Sequence, residues 1–169
     1  MVTPTALPSA FVAGDILTAA NQNLLRGGFR VLAVDSVNVV ARTFSTASTS
    51  FTNITGITLT ITPQSNTNKI LIFSNLNFGT DGSVVVYFSI ARNATIVGSG
   101  NDASSVIVNP SNAVTATTSF MFLDSPASTS ALTYTIQTKV GSGTMYLNRR
   151  GASDVYNGAS NLTIAEISA

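Results

Sequence analysis

Paired carboxylates are the first chemistry that this sequence could support, because glycan-cleaving proteins use two Asp or Glu side chains about 5 to 10 Å apart. The chain has seven acidic residues. Asp81, Asp102, Asp124 and Asp154 fall in predicted turns, where Asp commonly accepts hydrogen bonds from its own backbone. Glu166 lies late in the last predicted strand, where an Arg is its expected partner. These positions favour structural roles, and we predict no catalytic residue.

The residue types that usually carry catalysis or bind metals are missing. The 169 residues include no Cys and no His, which removes thiol nucleophiles, thiolate metal ligands and the usual general base. No D-x-D-x-D spacing of the calcium-loop kind is present. Gly98-Ser-Gly100 and Gly141-Ser-Gly143 are too short for phosphate cradles, so turns explain them better. We therefore predict a protein that is not an enzyme and holds no metal or cofactor.

Two groups of residues could contact a ligand. Arg149 and Arg150 form the only adjacent basic pair, which would suit an acidic glycan, a neighbouring subunit's carboxylate or simply solvent. Aromatic rings stack on sugar faces while Asn and Ser bind hydroxyls, so the four tyrosines are also candidates: Tyr87, Tyr134, Tyr146 and Tyr156. Tyr134 alternates with polar residues on a core-facing side, which favours packing. Tyr156 lies in a predicted loop and is the better candidate for ligand contact.

The composition is poor in charge and rich in neutral polar residues. Charged residues make up 9% of the chain, against about 25% in an ordinary globular protein, and the net charge is +1. Ser, Thr and Asn fill 59 of the 169 positions, a mixture that suits water-exposed β-sheets and turns. The sequence has no basic field for nucleic acid, no apolar run of about 18 residues for membrane insertion and no secretory signal. We predict none of those three uses.

The residue pattern of the chain changes near residue 30. Two prolines predict an extended arm from Val2 to Gly14, and Leu17–Arg26 predicts a helix of about two turns that ends at Gly27-Gly28. Thr18 or Asp15 is its N-cap. So short a helix is unstable alone in water and needs a partner surface, from its own domain or from another subunit. We divide the chain into an N-terminal segment, residues 1–30, and one domain, residues 31–169.

Beyond residue 30 the apolar residues recur with a period of two, which predicts an all-β, antiparallel, jelly-roll-like β-sandwich. Eight strands are predicted: Val37–Phe44, Ile57–Ile61, Lys69–Leu76, Val84–Ala91, Val114–Leu123, Leu132–Val140, Thr144–Asn148 and Leu162–Ile167. Ile70–Phe73 and Val84–Phe88 are apolar on both faces. We interpret these two stretches as a subunit contact; central strands beneath a loop remain the alternative.

Particular segments resemble virion proteins of tailed bacteriophages. Phe11-Val-Ala-Gly-Asp-Ile-Leu-Thr-Ala-Ala-Asn-Gln-Asn23 resembles a short N-terminal motif, aromatic-x-x-Gly-Asp/Glu-x-Leu-Thr-Ala, of minor tail proteins and tail fibres. Ile61–Ile72, Phe122–Ala127 and Tyr146–Arg149 are similar to parts of the β-sandwich tips and decoration domains of such phages. The chain lacks the extended shaft of a long fibre, which favours a compact knob on head or tail.

This resemblance implies a homotrimeric surface protein of the virion, assembled in the host cytoplasm, where neither a signal peptide nor a disulfide is needed. It implies that the N-terminal segment docks to another capsid or tail protein through its apolar residues Phe11, Ile16, Leu17, Leu24 and Leu25. Tail fibre or tip and capsid decoration both remain open. The alternatives are a carbohydrate-binding module that recognises host surface glycans and a hydrolase that uses two loop carboxylates.

Overall fold

The fold is seen in a computed structural model that describes residues 30–98, 103–109, 111–153 and 158–168. The predicted arm and short helix therefore lie outside the described residues. Within those ranges the chain forms eleven strands: β1 Val31–Val39, β2 Ser45–Thr46, β3 Thr52–Ile61, β4 Lys69–Thr80, β5 Val84–Arg92, β6 Thr95–Val97, β7 Ser105–Asn109, β8 Thr115–Asp124, β9 Leu132–Val140, β10 Met145–Leu147 and β11 Ser160–Ile167. No helix in this part of the chain is long and apolar enough to cross a membrane.

The strands form two antiparallel sheets, which we name after their central strands. In the β4 sheet, β8 occupies one edge of β4 from Ile70 to Gly79, while β11 and β10 share the other edge. β1 lies beyond β11, and β2 lies beyond β10. In the β5 sheet, β9 pairs with one edge of β5 and β3 lies beyond β9, while β7 and β6 share the other edge. This arrangement confirms the predicted all-β antiparallel sandwich.

The core lies between the two sheets, where alternate side chains of each strand meet. β4 contributes Ile72, Leu76 and Phe78, and β5 contributes Val86 and Phe88, all fully buried. The rings of Phe78 and Phe88 meet edge to face with centroids 5.1 Å apart. Such aromatic pairs contribute about 0.5 to 1.5 kcal/mol beyond the area that they bury. Val86 and Phe88 therefore both point inward, toward the β4 sheet.

The first predicted strand is wrong in position. β1 pairs with β11 along its whole length, from Val31 opposite Ile167 to Val39 opposite Ser160, so the strand begins six residues earlier than the prediction and ends at Val39. At this strand end the side chain of Asn148 donates to the carbonyls of Val39 and Ala41, and the pairing with β11 does not continue past Val39. The alternation that continues to Phe44 therefore reflects packing against the core rather than strand pairing.

Three strands escaped prediction because they are short. β2, β6 and β7 have two, three and five residues, too few for a periodic pattern to stand out. β5 and β6 are joined by a two-residue turn in which Asn93 and Ala94 both have positive φ, of 47° and 70°. Two positive φ values define a type I′ hairpin, whose usual sequence signal is Asn-Gly. Ala94 in the second position concealed it.

Candidate functional sites

Asp124 is the acidic side chain that departs most from its prediction. It is the last residue of β8 rather than a turn residue, it is buried, and it points into the sandwich. Its carboxylate accepts hydrogen bonds from Arg92 Nη1 at 2.9 Å and 2.7 Å, and from the Tyr134 hydroxyl at 2.6 Å. The prediction that Asp124 serves its own turn is therefore wrong, because a strand end beneath the opposite sheet offers stronger donors.

The three side chains link the two sheets. Asp124 belongs to the β4 sheet, whereas Arg92 and Tyr134 belong to β5 and β9 of the β5 sheet. Burial raises the pKa of Tyr134, and the hydrogen bond and negative charge of Asp124 raise it further, so the phenol stays protonated. Burial lowers the pKa of Arg92, but Asp124 raises it by more in sum, so the guanidinium stays charged. The group is a charge-compensated crosslink, arranged for structure rather than proton transfer.

Glu166 is held in a different way from the one expected. Its side chain is buried on β11, and Oε1 accepts hydrogen bonds from the backbone amide of Gln64 at 2.7 Å and from Asn68 Nδ2 at 2.6 Å. The expected Arg partner is wrong, because the loop between β3 and β4 supplies both donors. Asp124 and Glu166 each pair in register with Ile70, so the two carboxylates flank one central strand. Both side chains are buried.

Of the remaining acids of the paired-carboxylate hypothesis, the structure describes one. Asp81 is exposed in the predicted turn before β5, and its Oδ1 accepts a hydrogen bond from the Thr144 amide at 2.9 Å. Asp102 and Asp154 lie outside the described residues. Within the ranges that the structure describes, no group of three or more His, Cys, Asp or Glu side chains could hold a metal ion.

Arg149, the first residue of the basic pair, lines an open cleft of about 620 Å³. The guanidinium of Arg149 lies over the Tyr146 ring, 3.9 Å from its centroid, and Arg150 Nε donates to Ser153 Oγ at 2.9 Å. Arg42 also lines this cleft, so the structure brings a cation that is distant in sequence to the same cleft as Arg149. The cleft presents the side chains of Arg42 and Arg149, and guanidinium groups suit an anionic ligand.

The three tyrosines that the structure describes do not form one face. Tyr134 is buried, as its alternation predicted, Tyr87 lies on the outer side of β5, and Tyr146 belongs to β10 in the other sheet. Tyr156 lies outside the described residues. The predicted docking residues also lie outside them: Phe11, Ile16, Leu17, Leu24 and Leu25.

Asn148 is a structural centre that the sequence analysis missed. It is fully buried with a φ of 57°, and its amide donates to the carbonyls of Val39 and Ala41 while its Oδ1 accepts from Ser160. Asn tolerates this left-handed conformation better than most residues. The available signal was an Asn at the end of the predicted strand Thr144–Asn148, where the chain leaves the sheet.

Two apolar surfaces remain on the outside of the sandwich. The first, the β4 outer patch, consists of Val34, Leu71, Phe73, Met121 and Leu123; Met121 is 65% exposed and Phe73 is 42% exposed. The second, the β5 outer patch, consists of Val85, Tyr87, Val106 and Val108. It includes the edge strand β7, where Val106 and Val108 are 54% and 57% exposed. The predicted doubly apolar strands therefore do present side chains outward.

Comparisons with known proteins give only distant likenesses. No protein-family model matches the chain, and no curated protein matches it. Similar solved structures include a mutant VP2 protein of infectious bursal disease virus in derived T=1 particles, with 10% identity, 83% of this chain covered and a TM-score of 0.43. The Gx strain of that virus gives 14% identity, 81% coverage and a TM-score of 0.35. The chain covers 38% and 42% of those two chains, well under half of their length.

Proposed function

We propose that this protein is a non-enzymatic structural protein of a tailed-bacteriophage virion that assembles as a homotrimer on the particle surface. The position is a tail fibre, a tail tip or a capsid decoration. The N-terminal motif supports the phage assignment through its resemblance to tail proteins. The low charge and the Ser, Thr and Asn content support a role in display and assembly.

The observation that carries this proposal is the β5 outer patch. Val106 and Val108 lie on an edge strand, and their neighbours Val85 and Tyr87 extend the apolar surface onto β5. An exposed edge that is apolar and uncharged invites pairing with another chain, which proteins that stay monomeric usually prevent with Lys or Pro. With 9% charged residues, this chain has little repulsion to keep copies apart. Contact between copies through this patch is the expected use.

The docking step of the proposal is assigned to the N-terminal segment. Immuno-electron microscopy of particles of the phage that encodes the chain should place a label on the particle surface. Replacing Phe11 by Ser should lower the copy number per particle by about tenfold, since a buried aromatic anchor often contributes 2 kcal/mol or more to an interface. Thr5→Ser is the matched control and should leave incorporation unchanged. Unlabelled particles that lack the protein would overturn the virion role.

The Arg149 cleft favours a second candidate function, a module that binds acidic sugars on the host surface. Its supporting observation is the Arg149 guanidinium held over Tyr146, next to Arg42. A glycan array with the full chain tests it, with Arg149→Gln as the variant and Lys69→Gln, remote from the cleft, as the control. Binding that Arg149→Gln abolishes and Lys69→Gln retains supports this function, and no binding to any acidic glycan excludes it.

A further inference from the structure

The β4 outer patch is confined to one end of its sheet. Strand register places Val34, Ala165, Leu71 and Leu123 in one row across β1, β11, β4 and β8. The next row is apolar on β4 and β8, where Phe73 and Met121 are neighbours, and polar on β1 and β11, which contribute Ser36 and Thr163. The row after that is wholly polar: Asn38, Asn161, Asn75 and Ser119. The outer face therefore changes from apolar to polar along the strands, which indicates a cover over the apolar end only.

The chain that precedes the described residues joins the sheet at this apolar end. Arg30 and Ser168 are paired by two 2.8 Å hydrogen bonds, from the Ser168 amide to the Arg30 carbonyl and from the Arg30 amide to Ser168 Oγ. Val31 then pairs with Ile167 at the start of β1. Twenty-nine residues precede Arg30 in the sequence, and Gly27-Gly28 lies shortly before it. Glycine readily adopts the positive φ that a reversal of direction requires.

The predicted helix has the length and the apolar residues to cover the patch. Ten residues, Leu17–Arg26, would form a helix about 15 Å long. The distance from β1 to β8 is three strand spacings, about 14 Å. Leu17, Ala20 and Leu24 recur at helical spacing and would form one apolar stripe. We propose that this segment packs across the β4 outer patch of its own chain, with its last turn, which includes Leu24, near Val34 on β1 and its first turn, which begins at Leu17, near Met121 on β8.

The occupant is the protein's own segment because it is already tethered beside the patch. A short tether gives the segment an effective concentration in the millimolar range, above that of a separate copy at ordinary concentrations. The helix would gain the partner surface that a two-turn helix needs. The arm from Val2 to Gly14, including Phe11, would then be the part free to dock elsewhere. This inference does not depend on the virion role, since it concerns one chain in solution.

Disulfide crosslinking in the full-length chain tests the proposal, and the absence of any native Cys leaves no competing thiol. The test variant carries Leu17→Cys with Met121→Cys. The matched control carries Leu17→Cys with Thr60→Cys, which places an exposed partner on the outer side of the other sheet, away from the β5 outer patch. A second test pair, Leu24→Cys with Val34→Cys, keeps the proposal testable if the first variant fails to fold. Products are resolved on non-reducing gels and by intact mass.

The expected result is a crosslink within one chain for both test pairs, formed at least about tenfold faster than in the control, since a disulfide needs Cβ atoms about 4 Å apart. Three results would overturn the proposal: no crosslink in folded test variants, crosslinks between chains, or equal rates in test and control. Crosslinks between chains would instead assign the cover to a second copy. The virion role would stand or fall separately, by particle labelling.

Discussion

The outer sides of two antiparallel strand pairs, β3 with β9 and β4 with β8, have the same backbone geometry but differ in the polarity of their side chains. On β3 and β9, Thr58 meets Thr135 at 2.8 Å and Thr60 meets Thr133 at 2.9 Å, each as a hydroxyl pair. On β4 and β8, the same kind of cross-strand pair joins Phe73 to Met121. Threonine pairs satisfy one another and face water without further cover. Phenylalanine and methionine gain stability only when another surface covers them.

The threonine-rich outer side of β3 and β9 is suited to exposure to water, whereas the apolar outer patches are suited to contact with another surface. Both outer sides are supported by the same core, because Phe78 of β4 packs against Phe88 of β5. Packing inside the sandwich therefore does not require an apolar exterior on either sheet. The apolar outer patches must be explained by what covers them, and the proposals above assign one to a second copy and the other to the N-terminal segment.

The largest effect is expected from the shared core. Phe88→Ala should lower the free energy of unfolding by about 3 to 5 kcal/mol, because it removes a fully buried ring and leaves a cavity. Thr133→Ser, the control on the outer side of β9, should change it by less than about 0.5 kcal/mol, since the hydroxyl pair survives. Denaturant unfolding measures both. A neutral Phe88→Ala together with a damaging Thr133→Ser would mean that the inner and outer sides are interchanged.

The second largest loss of stability is expected from breaking the contact of Asp124 with Arg92 and Tyr134, which links the two sheets. Asp124→Ala should cost about 2 to 4 kcal/mol, because it leaves Arg92 and the Tyr134 hydroxyl without their acceptor. The expected loss of stability is smaller than for a wholly buried ion pair, since 27% of the Arg92 side chain is exposed. Asp81→Ala, which removes one exposed hydrogen bond, is the control and should cost about 1 kcal/mol or less. Thermal unfolding that ranks Asp81→Ala above Asp124→Ala would contradict this assignment.

The comparison of outer sides can be tested by making one resemble the other. Phe73→Thr with Met121→Thr, in the full-length chain, should cost about 1 to 3 kcal/mol if another surface covers the patch. The reverse change, Thr60→Val with Thr133→Val, should alter stability by less than about 1 kcal/mol, because both positions stay at the water-facing surface. Denaturant unfolding of both variants decides. Equal and small effects would show that nothing covers the β4 outer patch.

The smallest expected change in stability comes from the backbone of the turn between β5 and β6, and it does not depend on either outer side. Ala94→Gly should raise the free energy of unfolding by about 0.5 to 1 kcal/mol, because Ala94 has a φ of 70° that glycine adopts without strain. Ala131→Gly is the control, since the φ of Ala131 is not positive, and it should be neutral or destabilising. A loss of stability in Ala94→Gly would argue against the two-residue turn between β5 and β6.

Sequence reasoning succeeded where a long strand has one wet side. Leu132, Tyr134 and Ile136 alternate with Thr133 and Thr135, so both β9 and the side that it buries were predictable. It failed where a side chain's partner is distant in sequence. Asp124 is 32 residues from Arg92, and turn chemistry is the nearer and more common explanation of such an Asp. No local pattern encodes which donors the opposite sheet will supply.

The candidate sites show the same limit. The Arg149 and Arg150 pair was visible as a basic dipeptide, but the cleft also needs Arg42, which lies more than a hundred residues earlier and is brought close only by the fold. The structural role of Asn148 was not predicted, because in the sequence a buried Asn with positive φ cannot be told from an ordinary turn residue. The apolar stretches on β4 and β5 were visible, and their outward sides followed from the period of two.

The central claim is that this chain works by associating with copies of itself through an apolar outer surface. Sedimentation velocity of the full-length protein at micromolar concentration tests it most directly, with Val106→Lys and Val108→Lys together as the variant that places charge on the β5 outer patch. The account predicts a trimer of 17.5 kDa chains that the double variant converts to a folded monomer. A wild-type protein that sediments as a single 17.5 kDa chain would contradict it.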